Sequence, residues 1–328
     1  MNYRKLGKTG FSISEISLGT WQVGGKWGDP FSHDNADQIL NAAIDAGINF
    51  IDTADVYGDG ESEKAVGRLV RSRSERIYVA TKCGRRLQPH TNEAYQPKTL
   101  RKFVEDSLQN MGLDTLDLIQ LHCPPTEVFY RPEIFELFDR LKDEGKIQNL
   151  GVSVEKVEEG LKAIEFPNVT TVQIIFNMFR QRPAELFFQE ASRRNIGIIV
   201  RVPLASGLLT GTYSANTAFS PTDHRTFNRE GAAFDKGETF SGVDYETGLA
   251  AVDELKTVFP GEANLAPDAL RWILTFDAVS CIIPGASKPA HLTSNLQAQE
   301  RPAPTPEQMA AVKRIYDERI KNPVHYLW

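Results

Sequence analysis

Four residues of this sequence have types and spacing suited to moving a proton: Asp52, Tyr57, Lys82 and His122. Asp52 closes the apolar stretch Ile48-Asn49-Phe50-Ile51, which follows Gly47 and reads as a buried strand. Tyr57 comes five positions later, in the segment after that strand. Lys82 ends Tyr78-Val79-Ala80-Thr81, and His122 ends Leu118-Ile119-Gln120-Leu121. One such ending means little, because strands often stop on Asp for turn reasons alone. Three apolar runs that each stop on an ionisable residue make a pattern. A phenol has an ordinary pKa of about 10 and is a weak acid at neutral pH. An ammonium held beside it favours the phenolate, so Lys82 is expected to lower the Tyr57 pKa. Burial would strip Lys82 of its proton, and Asp52 within hydrogen-bond reach would keep it charged. His122 would donate a hydrogen bond to a reacting oxygen. The chemistry expected is general acid and base catalysis centred on Tyr57.

The elements that must position these residues alternate along the chain. Two short runs around Lys8-Thr9-Gly10 in 3–17 suggest a small hairpin. A strand is expected from Ile16 to Leu18, then a helix capped by Asp34 and running to Gly47. Further strands are expected at 48–52, 77–82, 117–121, 147–152, 170–176, 196–202 and 279–283. Between them the apolar spacing predicts helices near 62–70, 97–111, 132–144, 155–165, 183–194, 244–258 and 267–276. A short helix at 289–297 and a last one at 306–320 follow. Eight apolar strands, each followed by a helix, indicate an α/β protein with a parallel sheet. The expectation is a (β/α)8 TIM barrel of one domain over 1–328, with an N-terminal β-hairpin and an extra C-terminal helix. An open doubly wound sheet is the alternative. The polar segment 203–243 is too long for an ordinary connection and reads as a lid or binding loop.

In a barrel the functional face lies at the C-terminal ends of the strands. Asp52, Lys82 and His122 close three successive strands there and can converge. Composition narrows the partners. Hydrophobic residues at 41% and charged residues at 24% suit an ordinary globular core, and a net charge of −6 offers no basic footprint for nucleic acid. No apolar stretch approaches the roughly 18 residues needed to span a bilayer. Met1 leads into Asn2-Tyr3-Arg4-Lys5 with no signal-peptide pattern, and the three cysteines have no metal or disulfide spacing. A cytoplasmic protein with no membrane or nucleic-acid partner and no metal is expected, its oligomeric state open.

The four residues, in this order and on these strand ends, resemble the catalytic tetrad of the aldo-keto reductases. The resemblance extends over nearly the whole chain. It includes Tyr3-Arg4-Lys5-Leu6-Gly7, Leu18-Gly19-Thr20, Phe50-Ile51-Asp52-Thr53-Ala54 with Tyr57-Gly58, Ala80-Thr81-Lys82, and Leu121-His122. Gly151-Val152-Ser153, the run Pro203-Leu204-Ala205-Ser206-Gly207-Leu208-Leu209-Thr210-Gly211, and Ile283-Pro284-Gly285-Ala286-Ser287 complete it. It implies NAD(P)H-dependent reduction of an aldehyde or ketone, or the reverse oxidation of an alcohol or sugar, with the proton from Tyr57. It also implies that Ser153 and Gln173 hold the carboxamide, and that Thr20, Trp21 and Asp52 lie near the nicotinamide ribose. Leu204, Ser206 and Gly207 would follow the pyrophosphate, and Asn295 would meet the adenine. Lys288 and His291 fall at or beside the positions where the family contacts a 2′-phosphate, which favours NADP(H) over NAD(H), and Ser287 is expected among the cofactor contacts. Two positions depart from the family pattern. Val154 stands where asparagine is usual, and Arg201 where an aromatic residue stacks on the nicotinamide. A cation at Arg201 would disfavour the oxidised nicotinamide or bind an acidic or polyhydroxylated substrate.

Other residues carry weaker signals. Trp21, Trp27 and the loop residues Phe219, Phe227, Phe234 and Phe240 could line a substrate pocket or pack the loop. Arg225 and Arg229 read as ion-pair partners, and Trp328 as either a pocket cap or part of a loose tail. Strand alternation turns Cys83 and Cys123 away from the barrel mouth if Lys82 and His122 face it. Two other functions use the same face: a nucleotide-binding regulatory subunit with little turnover, or a Schiff-base aldolase built on Lys82.

Overall fold

The computed structural model describes residues 1–25, 30–261 and 264–328, so Trp27 lies outside the described residues. The chain opens with an antiparallel hairpin, β1 (Tyr3–Lys5) and β2 (Ser12–Ser14), with Tyr3 opposite Ser14. A parallel sheet follows: β3 (Leu18–Gly19), β4 (Phe50–Asp52), β5 (Tyr78–Cys83), β6 (Leu116–His122), β7 (Ile147–Ser153), β8 (Val169–Ile175), β9 (Gly197–Arg201) and β10 (Val279–Ile282). Each strand pairs with the next in sequence. Parallel bridges between Ile16 and Ile282 and between Gly19 and Gly285 join the last strand to the first. Ser17 donates its backbone N–H to Ile282 at 2.9 Å, and Ile282 donates to Glu15 at 2.9 Å, which closes the barrel.

Helices α1 (His33–Asp45), α2 (Glu61–Ser72), α3 (Pro97–Met111), α4 (Pro132–Asp143), α5 (Val157–Ala163) and α6 (Phe187–Arg193) follow β3 to β8 in turn. After β9 comes the long segment with one short helix, α7 (His224–Phe227), then α8 (Tyr245–Val258) and α9 (Ala266–Leu274). The helix α10 (Pro289–Leu296) follows β10, and α11 (Pro306–Ile315) runs through a π-helical turn, Tyr316–Ile320, into α12 (Lys321–Val324). Each barrel helix turns one apolar stripe inward; α4, for example, buries Ile134, Phe135, Leu137, Phe138 and Leu141.

Some boundaries differ from the sequence expectation for local reasons. Ser32, two positions earlier than expected, starts α1 by accepting from the Asn35 N–H at 3.2 Å. Asp34 sits inside the first turn, where its charge suits the helix N-terminus. Pro183 belongs to a separate 3-10 turn, Arg182–Ala184, so α6 starts later than 183.

A second apolar cluster fills the lower barrel: Leu6, Phe11 and Ile13 of the hairpin region meet Phe50, Ala80, Leu118, Ile199, Cys281 and Ile283. The hairpin therefore seals the N-terminal end, and chemistry is left to the other. Side chains two apart on a strand share a face. Phe50 with Asp52, Ala80 with Lys82, and Leu118 with Gln120 and His122 thus put an apolar layer below and a polar layer above it.

Candidate active site

Lys82, fully buried, is the hub of that polar layer. Its Nζ donates to Asp52 Oδ2 at 2.5 Å, to the Thr53 carbonyl at 2.8 Å and to the Tyr57 hydroxyl at 3.3 Å. The ammonium's three N–H bonds are all used. The other Asp52 oxygen accepts from Gln173 at 2.7 Å and from Gln120 at 3.1 Å, so the carboxylate is satisfied on both sides. Burial works against the Lys82 charge, but Asp52 and Tyr57 outweigh it and hold the ammonium above its ordinary pKa. An amine so paired has no lone pair for Schiff-base attack, which argues against the aldolase alternative.

Tyr57 behaves differently from the sequence expectation. Burial raises the phenol above its ordinary value, and the lowering by Lys82 does not cancel it. The phenol is therefore a firmly protonated acid in this state, with the ammonium 3.3 Å away to receive the charge when the proton leaves. His122 lies edge-on to the Tyr57 ring at 6.0 Å. Burial first, then Arg85, Lys82 and Arg201, push its pKa well below the ordinary value, so the imidazole is neutral. Its Nδ1 is buried and finds no hydrogen-bond partner among the described residues.

Tyr57 and His122 border a cavity of about 1170 Å³. Sites for drug-sized ligands measure roughly 300–1,000 Å³. There is room here for an extended ligand and a second small one. Of the residues singled out in the sequence, Thr20, Trp21, Asp52, Gln173, Arg201, Leu204, Ser206, Gly207, Lys288, His291 and Asn295 line it. Thr20 accepts from Ser62 at 2.8 Å and donates to the Asp52 carbonyl at 3.0 Å. Ser206 is turned into the left-handed region (φ 55°); its hydroxyl donates to the Glu238 carbonyl at 3.0 Å and accepts from the Phe240 N–H at 3.1 Å. Asn295 donates to the Gly285 carbonyl at 3.3 Å.

Two of the expected contacts lie beside the cavity and do not border it. Ser153, at the end of β7, is buried against Cys123 Sγ at 3.5 Å. The Ser287 hydroxyl is 3.3 Å from His291 Nδ1, and its carbonyl accepts from Asn35 at 3.1 Å. Cys123 also departs from strand alternation. Its left-handed backbone (φ 48°) swings the thiol inward, 3.6 Å from Arg201.

Arg201 is flanked on both sides. Glu155 lies 2.8 Å from it and Glu238 3.3 Å, while Glu238 also meets Arg85 at 2.7 Å. Burial opposes the Arg201 charge, and Glu155 and Glu238 preserve it. The field at this wall is set by a string of alternating charges and not by one guanidinium, as the sequence had suggested. The two carboxyls divide: burial pushes Glu155 up to about 8, while Arg85 and Arg201 overcome burial and pull Glu238 down to about 2. Sequence reading missed Arg85, Gln88, His224 and Glu238 as lining residues. Gln120, which donates to Asp52, was also missed, although its place two residues before His122 was a signal that could have found it. Of the loop aromatics, Phe234 lines the cavity, while Phe219 and Phe240 pack on Tyr245. Arg225 pairs with Asp223 at 2.5 Å, and Arg229 donates to the Arg225 carbonyl at 2.6 Å.

A sequence profile of the aldo/keto reductase family matches residues 15–317. The chain belongs to that family. It is 27% identical over 303 residues to an aldo-keto reductase of Schizosaccharomyces pombe named for NADP(+), covering 90% of this chain and 86% of that one. It is 28% identical over 319 residues to the NADH-specific methylglyoxal reductase of Escherichia coli, covering 89% and 92%. The glycerol dehydrogenase structure from Gluconobacter oxydans superposes with a TM-score of 0.77 at 29% identity, covering 100% of this chain and 98% of that one. The protein is thus an oxidoreductase that couples a nicotinamide cofactor to carbonyl reduction or alcohol oxidation. The cavity fits such a cofactor: its volume of about 1170 Å³ is ample for a dinucleotide, and His122, with an unpartnered ring nitrogen, and the neutral amide Gln173 border it.

Asp55, between Asp52 and Tyr57, is buried with both carboxyl oxygens unpartnered among the described residues. Burial and then Glu63 push its pKa up to about 7. An unfolded Asp releases its proton near about 4. Between these values the folded state holds a proton that the unfolded chain has lost, so stability falls as pH rises from about 4 to about 7. Asp55→Asn is expected to be more stable than wild type by up to about 4 kcal/mol at pH 8 and by only about 1 kcal/mol at pH 4.5. Thermal melts at both values check this; an equal effect at both would refute the assignment.

Proposed function

We propose that Tyr57 is the proton donor and acceptor of this oxidoreductase, its phenolate form stabilised by the Lys82–Asp52 pair. His122 orients the carbonyl oxygen. The observation that carries this reading is the Lys82 ammonium in contact with both the Asp52 carboxylate and the Tyr57 hydroxyl. As the substrate oxygen gains negative charge, Tyr57 donates its proton, and the phenolate left behind faces a fixed cation. The neutral His122 donates a hydrogen bond to the same oxygen without competing for the proton. When bound, a nicotinamide would supply the hydride to the carbonyl carbon, or take it up in the reverse direction.

Gln173, which borders the cavity, would hold the carboxamide, with Thr20 and Trp21 beside the ribose and Ser153 set behind that wall. Leu204, Ser206 and Gly207 would flank the pyrophosphate, and Asn295 the adenine. The NADP(H) preference rests on Lys288 and His291 at the far end of the cavity, with Ser287 bonded to His291. A lysine suits phosphate as a point charge. The relatives divide on this choice, one named for NADP(+) and one NADH-specific. For the substrate, Arg85, Gln88, His224 and Glu238 give the inner cavity polar walls between Trp21 and Phe234. Such walls suit a small hydroxylated aldehyde, ketone or sugar better than a long apolar one, in keeping with a glycerol dehydrogenase among the structural neighbours. No helix among the described residues is long and apolar enough to cross a membrane. With free cysteines and an intracellular cofactor, a cytoplasmic location is the natural reading.

Two variants test the assignment. Tyr57→Phe is expected to lose turnover by at least about 100-fold while still binding reduced nucleotide in a fluorescence titration. Near-normal turnover in that variant would remove Tyr57 from the mechanism. Lys288→Ala is expected to weaken NADPH binding by about tenfold and NADH binding little. Equal effects on both nucleotides would place the 2′-phosphate elsewhere or favour NAD(H).

A further inference from the structure

Trp328 stands outside the cavity yet touches the segment that forms its wall. Its side chain is buried, and its Nε1 donates to Asp235 Oδ1 at 2.8 Å. The Arg180 guanidinium lies 4.0 Å over its ring. Arg180 is itself buried and donates to the carbonyls of Gly237 at 3.1 Å and Ser241 at 3.3 Å. Two glycines make this packing possible. A Cβ at Gly237 would come within 2.6 Å of the Trp328 ring, and one at Gly242 within 2.4 Å. On the other side Arg182 donates to the Trp328 carbonyl at 2.8 Å. Indole and guanidinium therefore hold the stretch from Asp235 to Gly242 between them.

Within that stretch lies Glu238, next to Gly237. Its carboxylate bridges Arg85 and Arg201, both of which border the cavity. Neither Trp328 nor Arg180 is among the residues lining the cavity. Their effect on it must pass through the backbone they hold. We propose that Trp328 and Arg180 are positioning residues that seat Glu238 between Arg85 and Arg201 and so fix the charge pattern of the active-site wall. The physical reason is the penalty for the alternative. If the stretch shifts, two guanidinium groups that are now paired lose a shared carboxylate in a largely buried wall, and the cavity beside His122 becomes more cationic. A carboxylate placed by packing from outside thus holds one link of the charge pattern that the substrate meets. The inference rests on the cavity being the substrate and cofactor site.

The test is a double-mutant cycle on the full-length protein with Trp328→Ala, Glu238→Gln and the double variant, beside Trp328→Phe. Trp328→Ala is expected to change the carbonyl KM by about tenfold, with a smaller change in kcat, and to speed amide exchange in 235–242 above the rest of the barrel. On the Glu238→Gln background the same substitution is expected to have little further effect on KM. Trp328→Phe keeps a ring on Arg180 and is expected to restore most of the wild-type KM. Equal fold-changes on both backgrounds, or faster exchange spread evenly over the barrel, would reduce Trp328 to ordinary packing and overturn the proposal. Should the wild type reduce no carbonyl tried, the cycle is read in NADPH affinity by fluorescence. The catalytic reading then fails separately from this one.

Discussion

An ammonium and a carboxylate buried together at the mouth of a closed barrel are the constraint on which the rest depends. Lys82 and Asp52 are each about as inaccessible as any side chain in the core, with 1% and 2% of their side-chain surface exposed. Desolvating such a pair is costly, and the attraction between them repays it only when the remaining donors and acceptors are also satisfied. Here they are, by the Thr53 carbonyl, Gln120, Gln173 and the Tyr57 hydroxyl. Removing one partner of a buried pair costs about 3–5 kcal/mol. The strands that carry these groups are therefore held to one register, and the hydroxyl at the end of the network is held in one place.

Barrel closure and the long loop then divide the work. Closure, through the bridges from Ile16 to Ile282 and from Gly19 to Gly285, brings β3 and β10 together and turns a row of strand ends into a ring. The hairpin fills the opposite end with apolar side chains, so polar groups accumulate at one mouth only. The loop after β9 contributes the outer wall, tied down by Glu238 to residues that follow β5 and end β9. One consequence concerns charge. His122 is surrounded by cations and stays neutral, whereas Glu155 and Glu238, close neighbours, are driven to opposite sides of neutrality. Environment, rather than residue type, decides which groups here hold protons.

Much of this was legible before any coordinates, and the reason is periodicity. Strand alternation is strict, so an apolar run ending in Asp, Lys or His assigns that residue to a face as soon as the strand is recognised. The eight-strand count and the order Asp52, Tyr57, Lys82, His122 followed from it. The direction of the Tyr57 pKa did not, because it depends on how much protein surrounds the phenol, and the nearest charge says nothing of that. Nor did the partners of Arg201. Glu155 lies just past β7, where alternation lapses, and Glu238 lies in a loop whose path no local pattern fixes. Cys123 was misplaced for the same reason, since a left-handed residue breaks the period that the prediction used. Trp328 was read as a pocket cap or a loose tail and is neither: it is buried and does not line the cavity, and its role is read only from what it touches.

The account's central claim is that a buried ammonium beside a protonated phenol runs the acid chemistry while the imidazole stays neutral. The pH dependence of carbonyl reduction at saturating reduced nucleotide tests it most directly. The account predicts that no limb of the profile is removed by His122→Gln, and that the rate falls on the alkaline side as Tyr57 loses its proton. In Lys82→Met the residual rate is predicted to keep that alkaline limb and move it to higher pH, because the cation that favours the phenolate is gone. A limb centred below about 7 that vanishes in His122→Gln, with no displacement in Lys82→Met, would contradict the account and make His122 the acid.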